Sequence, residues 1–226
     1  MGQGSSFRPR AAPVVMESEP ARLSGYEVRR FVGSSQQKSE TARYSSTAIA
    51  LHWMIAALIL TNVILGFGAN LVPDDYVRTF VDLHKSIGIT VLGLAILRIL
   101  WRVTHKPPPL PSTYSPFEQV AAHAAHWMLY VLIFAIPLTG WLHDSAWKEA
   151  ATHPVYLYWI IPWPRISWIK NMAPTAKEHF HSVLFAVHVY LNYTLYVLLA
   201  LHVFGALKHQ FWDREAELQR MMPGRR

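Results

Sequence analysis

The sequence predicts an all-α fold, an integral membrane four-helix bundle with both termini in the cytoplasm. Three observations predict it. The chain of 226 residues is 52% hydrophobic and only 15% charged, whereas an ordinary soluble domain carries about 25% charged residues. Four apolar stretches each reach the ~20 residues that a helix needs to cross a hydrocarbon core. Lys and Arg are spread so unevenly around those stretches that they set an orientation.

Residues 1–42 are rich in Ser, Arg, Glu and Gln and hold no apolar run. They lack the apolar centre of a secretory signal and read as a disordered cytoplasmic tail. The opening Met-Gly-Gln-Gly-Ser-Ser fits a myristoylation pattern, a short match in such a tail. Residues 43–226 form the membrane domain. No Asp, Glu, Lys or Arg lies between Arg43 and Asp74, which places a first helix at about 47–68. The second, at about 81–103, carries Lys85 near one end and Arg98 and Arg102 near the other, where long side chains can snorkel. Uncharged runs between Glu118 and Asp144 and between Glu178 and Lys208 give the third and fourth, at about 119–142 and 180–208. The apolar stretch from Ala150 to Pro164 is too short to span and holds three prolines. With Tyr156, Tyr158, Trp159 and Trp163 it reads as an interfacial segment.

The N-terminal tail, the second-to-third connection and the C-terminus together carry fifteen Lys and Arg; the other two connections carry six. Positive charge marks the cytoplasmic side, so both termini lie there. The net charge of +7 therefore belongs to topology and lipid headgroups, and no nucleic-acid partner is expected. The chain has no cysteine, which excludes disulfides, iron–sulfur clusters and covalently attached c-type haem.

Histidine carries the chemistry. An ionisable side chain inside a membrane span is expensive and points to function. His188 and His202 are fourteen residues apart on the fourth helix, about 40° short of four full turns. They share a face and stand ~21 Å apart along it. His52 lies near the cytoplasmic start of the first helix and His84 near the outer start of the second. The pairs at equal depth are His52 with His202 and His84 with His188. One lone membrane histidine reads as an interhelical hydrogen-bond donor; four with matched depths read as axial ligands. Two imidazoles on opposite sides of a planar macrocycle make a haem site, and two such pairs predict two non-covalent b-type haems. Gly88, one turn after His84, would let a flat ring approach the backbone. Arg98 and Arg102 lie at the depth of the inner pair and could meet haem propionates there; plain positive-inside anchoring is the other reading. His126, near the depth of His52, could ligate, bind a propionate or line a quinone pocket. His123, three residues before His126 at the cytoplasmic start of the third helix, competes with it, and His105, His143, His153, His179, His181 and His209 are assigned to the solvated interface.

The motifs resemble those of the bacterial diheme cytochrome b561 family: Arg43-Tyr44-Ser45 leading to Ala50-Leu51-His52-Trp53, Leu83-His84-Lys85-Ser86-Ile87-Gly88, and Leu97-Arg98-Ile99-Leu100-Trp101-Arg102. Ala122-His123-Ala124-Ala125-His126, Lys208-His209-Gln210-Phe211-Trp212 and Arg220-Met221-Met222-Pro223 are similar again. The resemblance covers residue 43 to the C-terminus, and the wider group includes the cytochrome b subunits of formate dehydrogenases and hydrogenases. It implies a bundle in the bacterial inner membrane that exchanges electrons with ubiquinone or another quinone. For one branch it implies oxidation of periplasmic superoxide with quinone as acceptor. The sequence departs from the short family form in its tail and in a long, Trp-rich third-to-fourth connection. Six basic against six acidic residues on the outer side give no net funnel for an anion.

The leading expectation is a transmembrane electron conduit. With both axial positions filled by His, no coordination site is open to oxygen. The alternative is a membrane-anchor subunit serving a partner dehydrogenase or a periplasmic electron donor, with the Trp-rich connection as docking surface. A haem-free metal transporter is disfavoured, because the spans lack the Asp and Glu of hard-metal sites.

Overall fold

The computed structural model describes Met1 and residues 43–224; the expected tail and its myristoylation pattern lie outside the described residues. Four long helices dominate: α1 (Ser46–Gly68), α2 (Asp74–Thr104), α3 (Pro116–Ser145) and α5 (Pro174–Phe211). Between α3 and α5 come an antiparallel hairpin, β1 (Val155–Leu157) with β2 (Ile161–Trp163), and a single turn, α4 (Ser167–Lys170). A short α6 (Glu217–Met221) closes the described chain. All four long helices are apolar and long enough to cross a membrane, and the chain is a multi-pass membrane four-helix bundle.

Each helix begins earlier than its apolar stretch, and local chemistry explains the extension. Pro73 precedes α2, and Asp74 and Asp75 occupy its first turn, where carboxylates face the positive end of the helix dipole. Ser115 and Glu118 form a reciprocal capping box at α3, with Pro116 in its first turn. Pro174 opens α5, which runs for 38 residues. At 1.5 Å per residue that is about 57 Å, close to twice the hydrocarbon thickness.

The helices pack in two antiparallel pairs, α1 on α2 and α3 on α5, joined where α2 meets α3. Ile55, Leu65, Ile87 and Val91 fill the α1–α2 seam, and Ala95, Tyr130 and Ile133 the α2–α3 seam. Large apolar side chains such as Leu60, Ile64, Leu100, Val131 and Phe204 face outward, as they do when the solvent is lipid. One end of the bundle gathers the start of α1, the α2–α3 connection and the C-terminal segment (the termini end). The other carries the α1–α2 turn and the hairpin (the loop end).

The expected interfacial segment is an ordered hairpin. Its tip residues Tyr158 and Trp159 have φ of 50° and 61°, a left-handed conformation that costs a non-glycine residue about 1–2 kcal/mol. Two bonds to α2 offset that strain. The Tyr158 N–H donates to Ser86 Oγ at 2.9 Å, and the Tyr158 and Thr90 hydroxyls meet at 2.7 Å.

Candidate functional site

At the loop end, α2 and α5 present His84 and His188 to each other, with ring centres 6.3 Å apart and planes at 77°. At the termini end, α1 and α5 present His52 and His202 with ring centres 6.3 Å apart and planes at 73°. These are the pairs at equal depth. An imidazole nitrogen bonds a first-row metal at about 2.0 Å with its ring centre about 1.1 Å behind, so opposed ligands on one metal put their ring centres roughly 6 Å apart. A pair of imidazoles at that separation is a donor set that would suit a haem iron.

The loop-end pair has a repeated support. His84 Nδ1 meets the Asn62 carbonyl of α1 at 3.0 Å, and His188 Nδ1 meets the Ile136 carbonyl of α3 at 3.0 Å. A carbonyl only accepts, so each Nδ1 carries the proton and each Nε2 keeps its lone pair for a metal. Four residues after each carbonyl stands a glycine. A Cβ on Gly66 would lie 3.3 Å from His84 Cε1, and one on Gly140 would lie 3.2 Å from His188 Cε1. Each imidazole thus sits on a neighbouring helix through one carbonyl and one missing side chain. Around the pair is a cavity of about 860 Å³, lined also by Gly88, Asn62, His143 and His181, within the size range of cofactor sites.

The termini-end pair is supported differently. Among the described residues neither His52 nor His202 shows a comparable bond to a carbonyl. A third imidazole, His126, lies with its ring centre 5.3 Å from that of His202 and its Nδ1 on the Ala122 carbonyl at 2.7 Å. Arg98 donates to the Tyr130 hydroxyl at 3.1 Å and to the Ala48 carbonyl, one turn before His52, at 3.2 Å. Arg102 lies over the same Tyr130 ring, 5.6 Å from its centre. Both arginines therefore gather on Tyr130 at this end.

Two assignments change. His143 and His181 are not simply solvated: their rings stack at 3.9 Å, His181 Nδ1 meets the His143 carbonyl at 3.1 Å, and both line the loop-end cavity. Their sequence signal is weak, because they lie where a span meets water. The second change is Tyr130, missed because one tyrosine in an apolar run carries no pattern of its own.

Beyond the termini-end pair, Lys208 donates to Glu118 and to Asp213 at 2.8 Å each, and His209 meets Asp213 at 2.6 Å. Glu118, His209 and Asp213 are close enough to hold a metal, but the Lys208 ammonium already supplies the cation between the two carboxylates. Tyr114 stacks on His209 at 4.3 Å, and burial, together with Glu217, pushes its phenol above the ordinary value. The Trp53 indole donates to the Met221 carbonyl at 2.6 Å, so α6 is tied down beside His52.

Comparison with known proteins gives the family. The sequence model of the family described as prokaryotic cytochrome b561 matches residues 43–224. The chain is 35% identical to cytochrome b561 homolog 2 of Escherichia coli (strain K12) over 184 residues, 80% of this chain and 91% of that protein. It is 28% identical to the probable superoxide oxidase CybB of Yersinia pestis over 192 residues, 81% of this chain and 98% of the relative. It is also 34% identical to cytochrome b562 of Cereibacter sphaeroides over 114 residues, 46% of this chain and 70% of that protein. With four membrane helices and a family match over the whole described bundle, the chain is a haem-binding membrane electron-transfer protein and belongs to the prokaryotic cytochrome b561 family.

Proposed function

We propose that this protein carries electrons across the bacterial inner membrane, one at a time, between two b-type haems and membrane quinone. The observation that carries the reading is the pair of opposed imidazole couples, at opposite ends of the bundle and with the same 6.3 Å separation. His84 and His188 would hold one iron from both sides, and His52 and His202 the other. Bound haem would supply a one-electron redox couple with no coordination position open to oxygen. The chain's own groups do the rest. The Asn62 and Ile136 carbonyls fix ring orientation and raise ligand basicity. Arg98 and Arg102 supply positive charge near the second pair, where a propionate would need it. His126 stands where it could hold a propionate or a quinone carbonyl. The distribution of Lys and Arg supports a cytoplasmic termini end.

A second reading concerns the donor. The relative named as a probable superoxide oxidase supports superoxide as the electron source: two superoxide ions would give two dioxygen, and one quinone with two protons would become quinol. The balanced outer charges give no net attraction for that anion, so guidance would have to be local. Anaerobic addition of quinol, and separately of superoxide, to the oxidised purified protein tests both readings in the haem absorbance. Reduction by quinol alone would remove superoxide from the scheme. Reduction by neither, with a dehydrogenase co-purifying in stoichiometric amount, would favour the membrane-anchor role.

A further inference from the structure

The β1–β2 hairpin has two unlike faces. No Asp, Glu, Lys or Arg lies between Glu149 and Arg165, and residues directly opposite on paired strands share one side of the sheet. On one side, Val155, Leu157 and Trp163 line the cavity around His84 and His188, and Leu157 is buried. On the other side Tyr156 is exposed, and at the turn so are Trp159 and Ile160, the last by 78%. Neighbouring apolar side chains left bare in this way mark a surface that meets something other than water.

What it meets follows from where the hairpin is tied. Its base is held at the level of Lys85: Arg165, just past β2, and Lys85 share the Asp144 carboxylate at 2.9 and 2.7 Å. Its tip is held further in, by the bonds of Tyr158 to Ser86 and Thr90. Lys85 is the last charge on α2 before Arg98, so both tip contacts fall in the charge-free part of that helix. Thr90 is five residues past Lys85, about 7.5 Å along the axis. Ser86, Thr90, Gly93 and Leu97 follow one another at helical spacing and form one stripe of α2. Gly93 and Leu97 are exposed, on a helix long and apolar enough to cross a membrane. The hairpin therefore covers the upper part of a stripe whose lower part is open to lipid.

We propose that the hairpin is seated in the membrane: Tyr156, Trp159 and Ile160 rest on lipid at the headgroup–acyl boundary of the loop-end leaflet, and the opposite face walls the loop-end cavity off from that lipid. Tyr and Trp favour this boundary because one part of each ring system is apolar and another can meet water. Interfacial elements reach about 5–10 Å below the headgroups, which matches the depth of Thr90. The backbone sets the inner limit. A two-stranded sheet leaves one unpaired edge on each strand, and such edges are not tolerated in the hydrocarbon core. The hairpin is thus too apolar for water and too open-edged for the core. The seat does not depend on which group the histidines hold.

The chain has no cysteine, so a single introduced thiol can carry a nitroxide label without background. Ile160→Cys, Lys148→Cys and Leu60→Cys are made in the haem-loaded full chain. Each is reconstituted in vesicles of phosphatidylethanolamine and phosphatidylglycerol. Electron paramagnetic resonance then reads collisions with oxygen, which concentrates in the bilayer, and with a nickel chelate, which stays in the water on both sides. Lys148, exposed in the same connection, is the water reference, and Leu60, exposed on α1, the lipid reference. The expected oxygen-to-nickel ratio at position 160 is several-fold above that at 148 and below that at 60. An unchanged haem spectrum shows that each labelled chain is folded. If Ile160→Cys does not load haem, Ile161→Cys, also exposed, takes its place. A ratio at the tip equal to that at 148 overturns the proposal and leaves the hairpin in water, open to a protein partner. Low collision rates with both reagents overturn it as well, because the tip is then covered by protein.

Discussion

The two ends of the bundle hold histidine pairs of the same separation by different means. At the loop end each imidazole rests on a neighbouring helix through a carbonyl and a glycine, with the Thr139 hydroxyl also 3.1 Å from His188 Nδ1, so backbone and uncharged groups set its position and tautomer. At the termini end the surroundings are side chains that carry or can acquire charge: His126, Arg98, Arg102 and Tyr130. Backbone support cannot be tuned by substitution without moving a helix, whereas charged side chains can be exchanged one at a time. The difference suggests that the loop-end pair is fixed in geometry and the termini-end pair is adjustable in potential.

The largest effect tests whether the ends are independent. His84→Ala and His188→Ala should each lose the loop-end haem, and His52→Ala and His202→Ala the other, so pyridine haemochrome content should fall from two per chain to about one. If redox titration showed His52→Ala and His188→Ala lacking the same component, the pairing would be wrong. Next come the glycines. Gly66→Ala and Gly140→Ala push a methyl to within 3.3 and 3.2 Å of a ring carbon, and overpacking of this kind costs about 1–3 kcal/mol. Haem should leave the loop-end site roughly five- to a hundredfold faster in a haem-transfer assay, with the termini-end haem unaffected. Equal loss from both ends would mean general destabilisation.

A smaller effect is electrostatic. Arg98→Gln removes one positive charge near the termini-end pair, which favours the oxidised, more positive state and lowers the midpoint. At about 10 Å and an effective dielectric near 20, one charge contributes roughly 1.7 kcal/mol, or about 70 mV for one electron. A spectroelectrochemical titration should show a fall of some tens of millivolts at that haem only. Equal shifts in both haems, or in neither, would return Arg98 to the role of topology anchor. The smallest effect lies outside the spans. The Lys208 ammonium holds the Asp213 carboxyl below its ordinary value of 3.8. A group depressed on folding stabilises above its unfolded pKa and loses that contribution as pH falls through its folded one. Asp213→Asn should therefore lower the melting temperature slightly at pH 7, and wild type and variant should converge well below pH 3.8.

The four helices and the residues of the two pairs were legible because they rest on long-range counts: charge-free length, and fourteen residues between two histidines on one helix. Helix ends were less so. Asp74 to Asp82 reads as a polar connection, yet its carboxylates suit a helix start. The supports of His84 and His188 were hidden for another reason. A backbone carbonyl has no letter in the sequence, and Gly66 and Gly140 acquire meaning only when a ring from another helix arrives. The hairpin was masked by its composition, since Tyr158 and Trp159 are poor choices for a left-handed turn, and Tyr158 is held by Ser86 and Thr90, some seventy positions away.

One helix, α5, contributes a histidine to each pair. Insertion of a single residue between His188 and His202 would turn one imidazole by about 100° relative to the other, and no movement of α1 or α2 could restore both sites together. The spacing between the two histidines, more than the identity of the residues between them, is what holds the two sites in register. The connection between α3 and α5 carries neither histidine of a pair, so a change in its length would leave the spacing of His188 and His202 untouched.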